Sequence, residues 1–409
     1  MKIAFIVDTF PKLSETFILN QITGLIDLGH EVEIFAGVQP SENKMHSEIK
    51  EYRLLEHTHY HNEIPPNRFY RIMKAIFLAA INILNHPYVI LHSLNVFNYI
   101  GDAWSLKLFY KAVLFLTKGK FDIIQCHFGP NGNLGALLKE IGIQGKLVTM
   151  FHGYDIRLGI KEEGNIYDKL FRYGDCFLSI SDYTSKHLLT FGANQKKIVY
   201  HPVGINLDKF PFRWNTAFIE LPTPTRIMTI GRLTKEKGFF YAILAIEKLI
   251  KQNPDLRIEY QIIGDGPLKD KLKKMVEDLK LEKIVHFLGP QKREEVINAL
   301  KQAHLFFLPS NAEVLPVVLM EALAVGLPVV ATLVGAISEL GIDGKSGFLV
   351  PRGDVDAMAE RLEYLIRNPE IWPDMGRAGR QFVEKNYNIN TLNNKLVDIY
   401  QKLLYGRLP

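Results

Sequence analysis

Two cations follow the short apolar run Ile227–Ile230 in this sequence of 409 residues. Directly after the run, the chain reads Gly231-Arg232-Leu233-Thr234-Lys235-Glu236-Lys237-Gly238. Glycine after a strand lets the backbone turn close to a ligand. Arg232 and Lys237 would then bring two positive charges to one strand end, an arrangement suited to a diphosphate. The alternative is a pair of ordinary solvated loop cations.

Two glutamates follow another apolar run, Leu305–Leu308. Glu321 is the single polar residue of the helix-like stretch Val317–Val325, and a helix that is apolar all round is buried. A buried carboxylate is costly unless a partner meets it, and ribose hydroxyls would be suitable donors. Glu313 precedes the helix in a loop, where it could accept hydrogen bonds from sugar hydroxyls. An internal salt bridge is the alternative for Glu321.

Two histidines also stand at predicted strand ends. His127 follows the run Ile123–Cys126, and His152 follows Leu147–Phe151, each close to a glycine. A lone histidine is more often structural, but the repeated position favours a functional role for His152. A metal site is the weaker interpretation, because no His-x-x-x-His or paired-Cys spacing supports it.

Three further motifs carry less weight. In Gly264-Asp265-Gly266-Pro267, the third glycine of a dinucleotide fingerprint would fall at Lys269, so the dehydrogenase motif fails. Asp354-Val355-Asp356 has the form of some metal sites, but it precedes a helix-like run and is better explained as a helix cap. Near the N-terminus, Ser14 or Thr16 would cap a helix beginning near Phe17, whose N–H groups could also meet a phosphate. Pro316 fits the first turn of the helix that carries Glu321, and Gly326 fits the position just after its end.

The elements that would position these residues are apolar runs alternating with amphipathic stretches. Fully apolar strands separated by helices are typical of a parallel sheet covered on both faces, and two such series predict two doubly wound α/β domains. Ligands bind beyond the carboxyl ends of such strands. The first series is Ile3–Val7, Val32–Ala36, Ile123–Cys126, Leu147–Phe151 and Cys176–Ile180, and the second is Ile227–Ile230, Tyr260–Ile263, Ile284–Leu288, Leu305–Leu308 and Pro328–Ala331.

The predicted domain boundaries follow from these two series and from the length. Residues 1–206 form an N-terminal domain, the proline-containing stretch 207–226 a linker, 227–385 a second domain, and 386–409 a terminal helix. The content of 47% hydrophobic and 23% charged residues is typical of a soluble enzyme, and a net charge of +5 argues against a dedicated nucleic-acid binder. Cys126 and Cys176 are predicted to be buried thiols in a reducing compartment.

The N-terminal run Ile3–Val7 is too short for a signal peptide, and no stretch reaches the roughly 18 apolar residues of a membrane span. We therefore expect a cytoplasmic protein. The segment 68–120 carries seven Lys or Arg residues and one acid, Asp102. Basic helices with aromatic faces can lie on anionic membranes; alternatively, the aromatic side chains are core and the cations a solvated face. The aromatic residues are Phe69, Tyr70, Phe77, Tyr88, Phe97, Tyr99, Trp104, Phe109, Tyr110 and Phe115.

Taken together, the motifs of the second half resemble glycosyltransferase family 4, the retaining enzymes of GT-B fold. The resemblance covers roughly residues 200–385 and rests on Glu313-x7-Glu321 with the loops at 231–238, 264–267 and 344–351. In the first half, Phe10-Pro11-x-x-Ser14-Glu15-Thr16-Phe17-Ile18, His127-Phe128-Gly129 and His152-Gly153-Tyr154-Asp155 are similar to transferases of colanic-acid and related exopolysaccharide assembly. The resemblance implies two Rossmann-like domains facing a central cleft, with the terminal helix packing back on the N-terminal domain.

The resemblance also implies roles for matching positions. Arg232 and Lys237 would hold the donor diphosphate and stabilise the leaving group, which makes a metal unnecessary. Glu321 would bind the ribose, Glu313 would contact the donor sugar, and His152 would lie beside its reactive carbon. Many members have glycine where this chain has Val314, whose side chain would crowd the donor sugar. Further donor-binding positions are Gly231, Gly264, Gly266, Leu315, Pro316 and Val317, and the acceptor side would involve Ser14, Glu15, Thr16 and His127.

The function expected from this resemblance is retaining transfer of a sugar from a UDP- or GDP-sugar. The acceptor would be a glycan or a polyprenyl-diphosphate-linked chain, reached through the segment 68–120 on the inner face of the plasma membrane. No cofactor, metal or nucleic acid is expected. A nucleotide-sugar epimerase and a non-catalytic sugar-nucleotide-binding partner are the alternatives.

Overall fold

The computed structural model describes residues 1–13, 15–40, 45–61, 64–95, 105–213 and 224–406. The chain divides into two compact units. The first unit comprises Met1–Pro202 and Leu392–Pro409, and the second comprises Val203–Thr391. Each contains a parallel sheet with buried strands, so the predicted pair of doubly wound Rossmann-like domains is confirmed.

The first unit is built on a seven-stranded parallel sheet of order β3-β2-β1-β4-β5-β6-β7 within the described residues. The order reverses between β1 and β4, because the chain returns to the other side of β1 after building β2 and β3. The strands are β1 (Lys2–Thr9), β2 (Glu31–Val38), β3 (Thr58–Tyr60), β4 (Ile123–His127), β5 (Lys146–Phe151), β6 (Cys176–Ser179) and β7 (Ile198–Tyr200).

Helices connect these strands, and their apolar sides form the core with the sheet. Cys126 and Cys176 are buried free thiols, as predicted. The helices described in this unit before its final one are α1 (Thr16–Asp27), α2 (Ser47–Glu51), α3 (Arg68–Asn82), α4 (Pro87–Ser93), α5 (Lys107–Thr117), α6 (Gly129–Glu140), α7 (Gly153–Lys161), α8 (Asp168–Tyr173) and α9 (Asp182–Thr190).

The second unit has a six-stranded parallel sheet of order β10-β9-β8-β11-β12-β13 in the described part of the chain. Its strand order reverses between β8 and β11. The strands are β8 (Thr225–Ile230), β9 (Ile258–Ile263), β10 (Val285–Gly289), β11 (Leu305–Leu308), β12 (Val329–Thr332) and β13 (Gly347–Val350). The helices are α10 (Phe239–Gln252), α11 (Lys269–Asp278), α12 (Arg293–Gln302), α13 (Val317–Val325), α14 (Val355–Arg367) and α15 (Trp372–Tyr387).

The last helix, α16 (Ile389–Leu404), packs with the first unit from Leu392 onward. Asn393 Nδ2 donates to the carbonyl of Asn20 (3.1 Å), and the Tyr400 hydroxyl donates to Gln125 Oε1 (3.0 Å). The expected return of the terminal helix to the N-terminal domain is therefore confirmed.

All ten predicted strands are present, whereas the short strands β3, β7 and β13 were missed because their three or four residues have no clear pattern. Asp354 caps α14 by accepting a hydrogen bond from Ala357 N (2.9 Å), which confirms capping as the role of the Asp-x-Asp motif. No helix among the described residues is long and apolar enough to cross a membrane.

Candidate active site

The candidate residues cluster where the strand order of each sheet reverses. In the second sheet, β8 and β11 are neighbours at the point where the strand order reverses, and a doubly wound sheet binds its ligands outside the carboxyl ends of such strands. Arg232 and Lys237 follow β8, and Glu313 follows β11. In the first sheet, the loop before α1 follows β1, and His127 ends β4 at the corresponding point.

The loops after β8 and β11 are bonded to each other through their backbones. The carbonyl of Glu236 accepts hydrogen bonds from Asn311 N (2.7 Å) and Ala312 N (3.2 Å). Gly238 has a positive φ of 65°, and a Cβ there would lie 1.9 Å from the carbonyl oxygen of Pro309. Only glycine allows this approach, so the sequence Lys237-Gly238 fixes the lysine beside the second loop.

Lys237 and Glu313 form a close ion pair within the second unit. Lys237 Nζ donates to Glu313 Oε1 at 2.5 Å, and Ser310 Oγ donates to the same oxygen at 2.8 Å. The side chains are 25% and 9% exposed, respectively. Arg232 is exposed, and its guanidinium has no partner among the described residues. The structure thus brings together a lysine and a glutamate that are 76 positions apart, with a free guanidinium on the same loop.

Helix α10 begins just after Lys237, with Gly238 at its N-terminus. Its first turn has no acidic residue, and Gly238 provides no side chain to cap it. The first N–H groups of a helix have no partner within the helix and carry partial positive charge. Lys237 and these N–H groups together can bind an anion such as a phosphate.

The loop after β9 packs on the loop after β8. Leu233 N donates to the carbonyl of Asp265 (2.9 Å), and a Cβ on Gly264 would lie 1.9 Å from the carbonyl oxygen of Gly231. A Cβ on Gly266 would lie 2.6 Å from the carbonyl oxygen of Leu233. The Gly-Asp-Gly-Pro motif is therefore required for packing between loops, which explains its small residues without any direct ligand contact.

Glu321 lies on the buried helix α13, as predicted. Arg293 Nη2 is 3.6 Å from Glu321 Oε1, so the alternative of an internal ion pair is also realised. No described residue donates a hydrogen bond to this carboxylate. Burial raises the pKa of Glu321 to about 7, and Arg293 opposes that increase. The carboxylate thus retains all of its capacity to accept hydrogen bonds from a ligand.

The bounds of α13 are close to those predicted. Gly326 ends the helix with a φ of 91°, in the position expected for it. Pro316 lies just before the helix with extended backbone, so the prediction that it belongs to the first turn is wrong by one residue.

Val314 is only 7% exposed, so its side chain packs inside the second unit. Its carbonyl accepts a hydrogen bond from Ala336 N (3.0 Å).

His127 and His152 are in contact in the first unit. His127 Nδ1 lies 3.1 Å from His152 Nε2, and the ring of Phe17 is centred 4.7 Å from that of His152. Burial lowers the pKa of His152 to about 3 and the pKa of His127 well below its ordinary value. Both rings are therefore neutral at physiological pH and act through hydrogen bonds rather than charge.

Asp155 ties the two histidine loops together. Its carboxylate accepts from His152 N (2.8 Å) and Gly129 N (3.0 Å), and the side chain is fully buried. Burial raises its pKa to about 6, while the backbone hydrogen bonds, including those from Gly129 and His152, lower it. Asp155 therefore joins the ends of β4 and β5 and orients the backbone that carries His152.

The loop after β1 differs from the prediction. Ser14 lies outside the described residues. Thr16 is the first residue of α1 and Glu15 precedes it without a capping hydrogen bond, so the prediction of Thr16 as a possible cap is wrong. The Glu15 side chain instead accepts from Lys12 Nζ at 2.5 Å. This ion pair leaves the first N–H groups of α1 without a side-chain cap from Glu15.

Sequence reasoning missed three residues of these clusters: Ser310, Arg293 and the supporting role of Asp155. Arg293 is the partner that a buried glutamate demands, but its position 28 residues upstream gives no local signal. Each unit thus contains its own group of candidate residues. The side chains predicted to bind the diphosphate and the ribose lie in the second unit, and the two histidines lie in the first. Among the described residues, no three His, Cys, Asp or Glu side chains are grouped so as to hold a metal ion.

Comparison with known proteins gives matches along the whole chain. The sequence model of Glycosyltransferase Family 4 matches residues 14–209, and that of Glycosyl transferases group 1 matches residues 215–382. WcaL of Escherichia coli (strain K12), assigned to colanic acid biosynthesis as a glycosyltransferase, is 35% identical over 98% of this chain and 100% of its own length. The amylovoran biosynthesis glycosyltransferase AmsK of Erwinia amylovora is equally similar, at 35% identity with the same coverage. The crystal structure of Anabaena HepE in complex with UDP and glucose has the same fold, with a TM-score of 0.71, 16% identity and coverage of 98% and 100%.

Proposed function

Because the chain belongs to glycosyltransferase family 4, we propose that it transfers a sugar from a UDP- or GDP-sugar, with retention of configuration, during assembly of a cell-surface polysaccharide. Its relatives in colanic acid and amylovoran biosynthesis match it from end to end, which supports this choice of pathway class. The acceptor would be a glycan or a lipid-linked glycan. The observation that carries the proposal is the ion pair of Lys237 and Glu313 beyond the carboxyl ends of β8 and β11, together with the buried Glu321 on the helix α13 that follows β11.

These residues and Arg232 would make three kinds of contact, which match the parts of a nucleotide-sugar. Arg232, Lys237 and the N-terminus of α10 would bind the diphosphate, since they provide positive charge at one strand end. Glu321 would accept hydrogen bonds from ribose hydroxyls. Glu313 would contact hydroxyls of the sugar, and its ion pair with Lys237 would keep that carboxylate beside the phosphate.

The chemical step would need charge stabilisation more than a protein nucleophile. As the bond from the sugar to the diphosphate breaks, negative charge develops on the leaving phosphate, where Arg232 and Lys237 would stabilise it. The acceptor hydroxyl would attack from the face that the diphosphate leaves, and the departing phosphate would take its proton. In the first unit, the neutral His152 would act through a hydrogen bond and not through charge, because burial lowers its pKa to about 3.

A thermal-shift screen of nucleotide sugars tests the proposed function directly. We expect one or a few UDP- or GDP-sugars to raise the melting temperature, because only a ligand that binds the native state stabilises it. Incubation of that donor with a lipid-linked acceptor should then give a glycosylated product that keeps the anomeric configuration. Conversion of the donor to an isomeric nucleotide-sugar without acceptor would point to an epimerase. The absence of any stabilising nucleotide sugar would contradict the proposal.

Metal independence is part of the proposal. Two cations on one loop and a helix N-terminus would offer the diphosphate the positive charge that a divalent ion supplies in other transferases. We therefore expect EDTA to leave the rate of transfer nearly unchanged, and added Mg²⁺ or Mn²⁺ not to raise it. The initial rate measured with and without chelator checks this expectation. A rate that falls on chelation and returns with Mn²⁺ would contradict it.

We also propose that the segment 68–120 contacts an anionic membrane, through α3 rather than α5. An apolar face of α3 stands in solvent, and its exposed fraction reaches 75% at Phe69 and 64% at Phe77. In contrast, Phe109 and Phe115 on α5 are buried in the core. Phe97, Tyr99, Asp102 and Trp104 lie outside the described residues. The apolar face comprises Phe69, Tyr70, Ile72, Met73, Ile76, Phe77 and Ile81.

The charge around this apolar face favours a membrane as its partner. Arg68 and Lys74 are exposed on the same helix, and residues 68–95 contain no Asp or Glu. A helix with exposed aromatic side chains and basic residues lies in the interface of an anionic bilayer with its apolar face among the acyl chains. Such a position would bring the enzyme to a lipid-linked acceptor.

The double variant Phe69→Glu/Phe77→Glu tests the membrane contact. We expect it to weaken binding to phosphatidylglycerol vesicles by about tenfold or more, because each Phe stabilises the bound state by roughly 1.5–3 kcal/mol when it is fully buried. Co-sedimentation with vesicles measures the change. Leu189→Glu is the matched control, since this exposed leucine lies on α9 of the same unit. Equal binding by wild type and double variant would exclude α3 as the contact.

A further inference from the structure

Arg293 is, among the described residues, the one charged side chain that acts on the buried carboxylate of Glu321. Arg293 is the first residue of α12, whereas Glu321 lies on α13. Its Nη2 atom lies 3.6 Å from Glu321 Oε1, and the two side chains are 14% and 11% exposed. The distance is too long for a good hydrogen bond but gives a strong Coulomb interaction in a site with little water.

The guanidinium of Arg293 is held in this position by its surroundings. Its central carbon lies 5.5 Å from the centre of the Phe210 ring, which is buried. Such a contact between cation and ring fixes the plane of the guanidinium. Arg293 Nε is also buried and has no acceptor among the described residues. The ion pair with Glu321 and the contact with the Phe210 ring therefore set the position of the Arg293 side chain, because its Nε donor makes no hydrogen bond to any described residue.

Two further cations near α13 are engaged elsewhere. Arg380, on the neighbouring helix α15, donates to the carbonyls of Phe210 and Ala324 and pairs with Glu384. Lys237, in the loop after β8, pairs with Glu313 in the loop before α13. Neither contributes to the charge state of Glu321, so Arg293 carries that role by itself within the described part of the chain.

We propose that Arg293 is a positioning residue of the donor site, which keeps the Glu321 carboxylate ionised and free to accept two hydroxyl hydrogen bonds from the nucleoside. The inference rests on the proposed function, because it takes Glu321 as the ribose ligand. An ion pair without a hydrogen bond stabilises the negative charge while leaving the lone pairs of both oxygens available. Hydrogen bonds to an ionised carboxylate are stronger than those to a neutral acid.

Nucleotide binding by three single variants, measured by calorimetry from pH 6 to pH 9 with UDP and GDP, tests the proposal. We expect Arg293→Gln to weaken binding at pH 7 by about tenfold and to move the pH at half-maximal affinity upward by about one unit or more, because loss of a close cation raises a carboxyl pKa. Binding should recover near pH 9. Arg293→Lys should restore most of the wild-type profile. Lys292→Gln, which removes the adjacent exposed cation, should match wild type.

An NMR titration of carboxyl-labelled glutamate separates failure of this inference from failure of the proposed function. The Glu321 signal, assigned by its absence in Glu321→Gln, reports the ionisation midpoint without any nucleotide. An upward shift in Arg293→Gln supports the role of Arg293 even if neither nucleotide binds, in which case the proposed function fails instead. The same midpoint in wild type and Arg293→Gln, or superimposable binding profiles, would overturn the inference.

Discussion

Replacing Lys237 with alanine is expected to reduce the turnover of sugar transfer by about 100- to 1000-fold, the usual effect of removing one preorganised charge-stabilising donor. Lys237 immediately precedes Gly238, the residue at the N-terminus of α10, and its side chain pairs with Glu313 in the loop after β11. Its ammonium is thus held at the point where the leaving diphosphate would develop charge. Alanine removes that charge but keeps the backbone that carries it.

The structure also indicates how to separate this effect from misfolding. Glu313 keeps the hydrogen bond from Ser310 Oγ when Lys237 is lost, so its carboxylate is not left without a donor. We therefore expect the melting temperature of Lys237→Ala to remain close to that of wild type. Lys235→Ala, which removes an exposed lysine from the same loop, should keep full activity. Full turnover by Lys237→Ala would remove this residue from the mechanism.

Replacing Glu321 with glutamine or alanine should reduce kcat/KM for the donor by about 100-fold, because each hydrogen bond to a charged group contributes about 1.5–3 kcal/mol. The carboxylate lies in an apolar helix and accepts no hydrogen bond from the described residues, so ribose hydroxyls would be its first donors. Glutamine keeps the volume of the side chain and one acceptor oxygen, and should therefore retain more activity than alanine. Steady-state kinetics at saturating acceptor measure both variants.

The pH dependence of donor use gives an independent test of Glu321. Burial raises the pKa of Glu321 to about 7, so the carboxylate is mostly protonated at pH 6 and mostly ionised at pH 8. If the ionised form binds ribose, kcat/KM of the wild type should fall as the pH decreases from 8 to 6. The Glu321→Gln variant should lose this dependence, because its side chain does not titrate. If the Glu321→Gln variant showed the same decrease in kcat/KM below pH 8 as the wild type, the titrating group would not be Glu321.

Short sequence patterns were sufficient to predict most of the strands and the helix α13. The ten predicted strands are apolar runs of four or five residues bounded by charged or turn-forming residues, and each forms in the structure. The helix α13 was recognisable because Pro316 and Gly326 bound it and because Glu321 interrupts an otherwise apolar sequence. The positions of the cations and histidines at strand ends followed from the same alternation, since parallel strands bring their carboxyl ends to one edge.

The exposure of the basic, aromatic segment could not be read from its composition. Both α3 and α5 are rich in aromatic and aliphatic residues with interspersed Lys or Arg. However, Phe109 and Phe115 of α5 are buried, whereas Phe69 and Phe77 of α3 are exposed. The difference arises because burial depends on which other elements cover a helix, and that is a property of the complete fold.

The sequence alone determined the two sheets and the residue types at the strand ends, because hydrophobic periodicity and glycine or proline signals act over a few residues. Its motifs also carried the resemblance to the family. Only the tertiary structure decided which charges meet. Lys237 pairs with Glu313 across 76 positions, and Arg293 meets Glu321 from another helix. These pairings depend on how the helices and loops of the second unit pack around its sheet. The protonation of Glu321 depends in turn on the burial and on the cation that this packing provides.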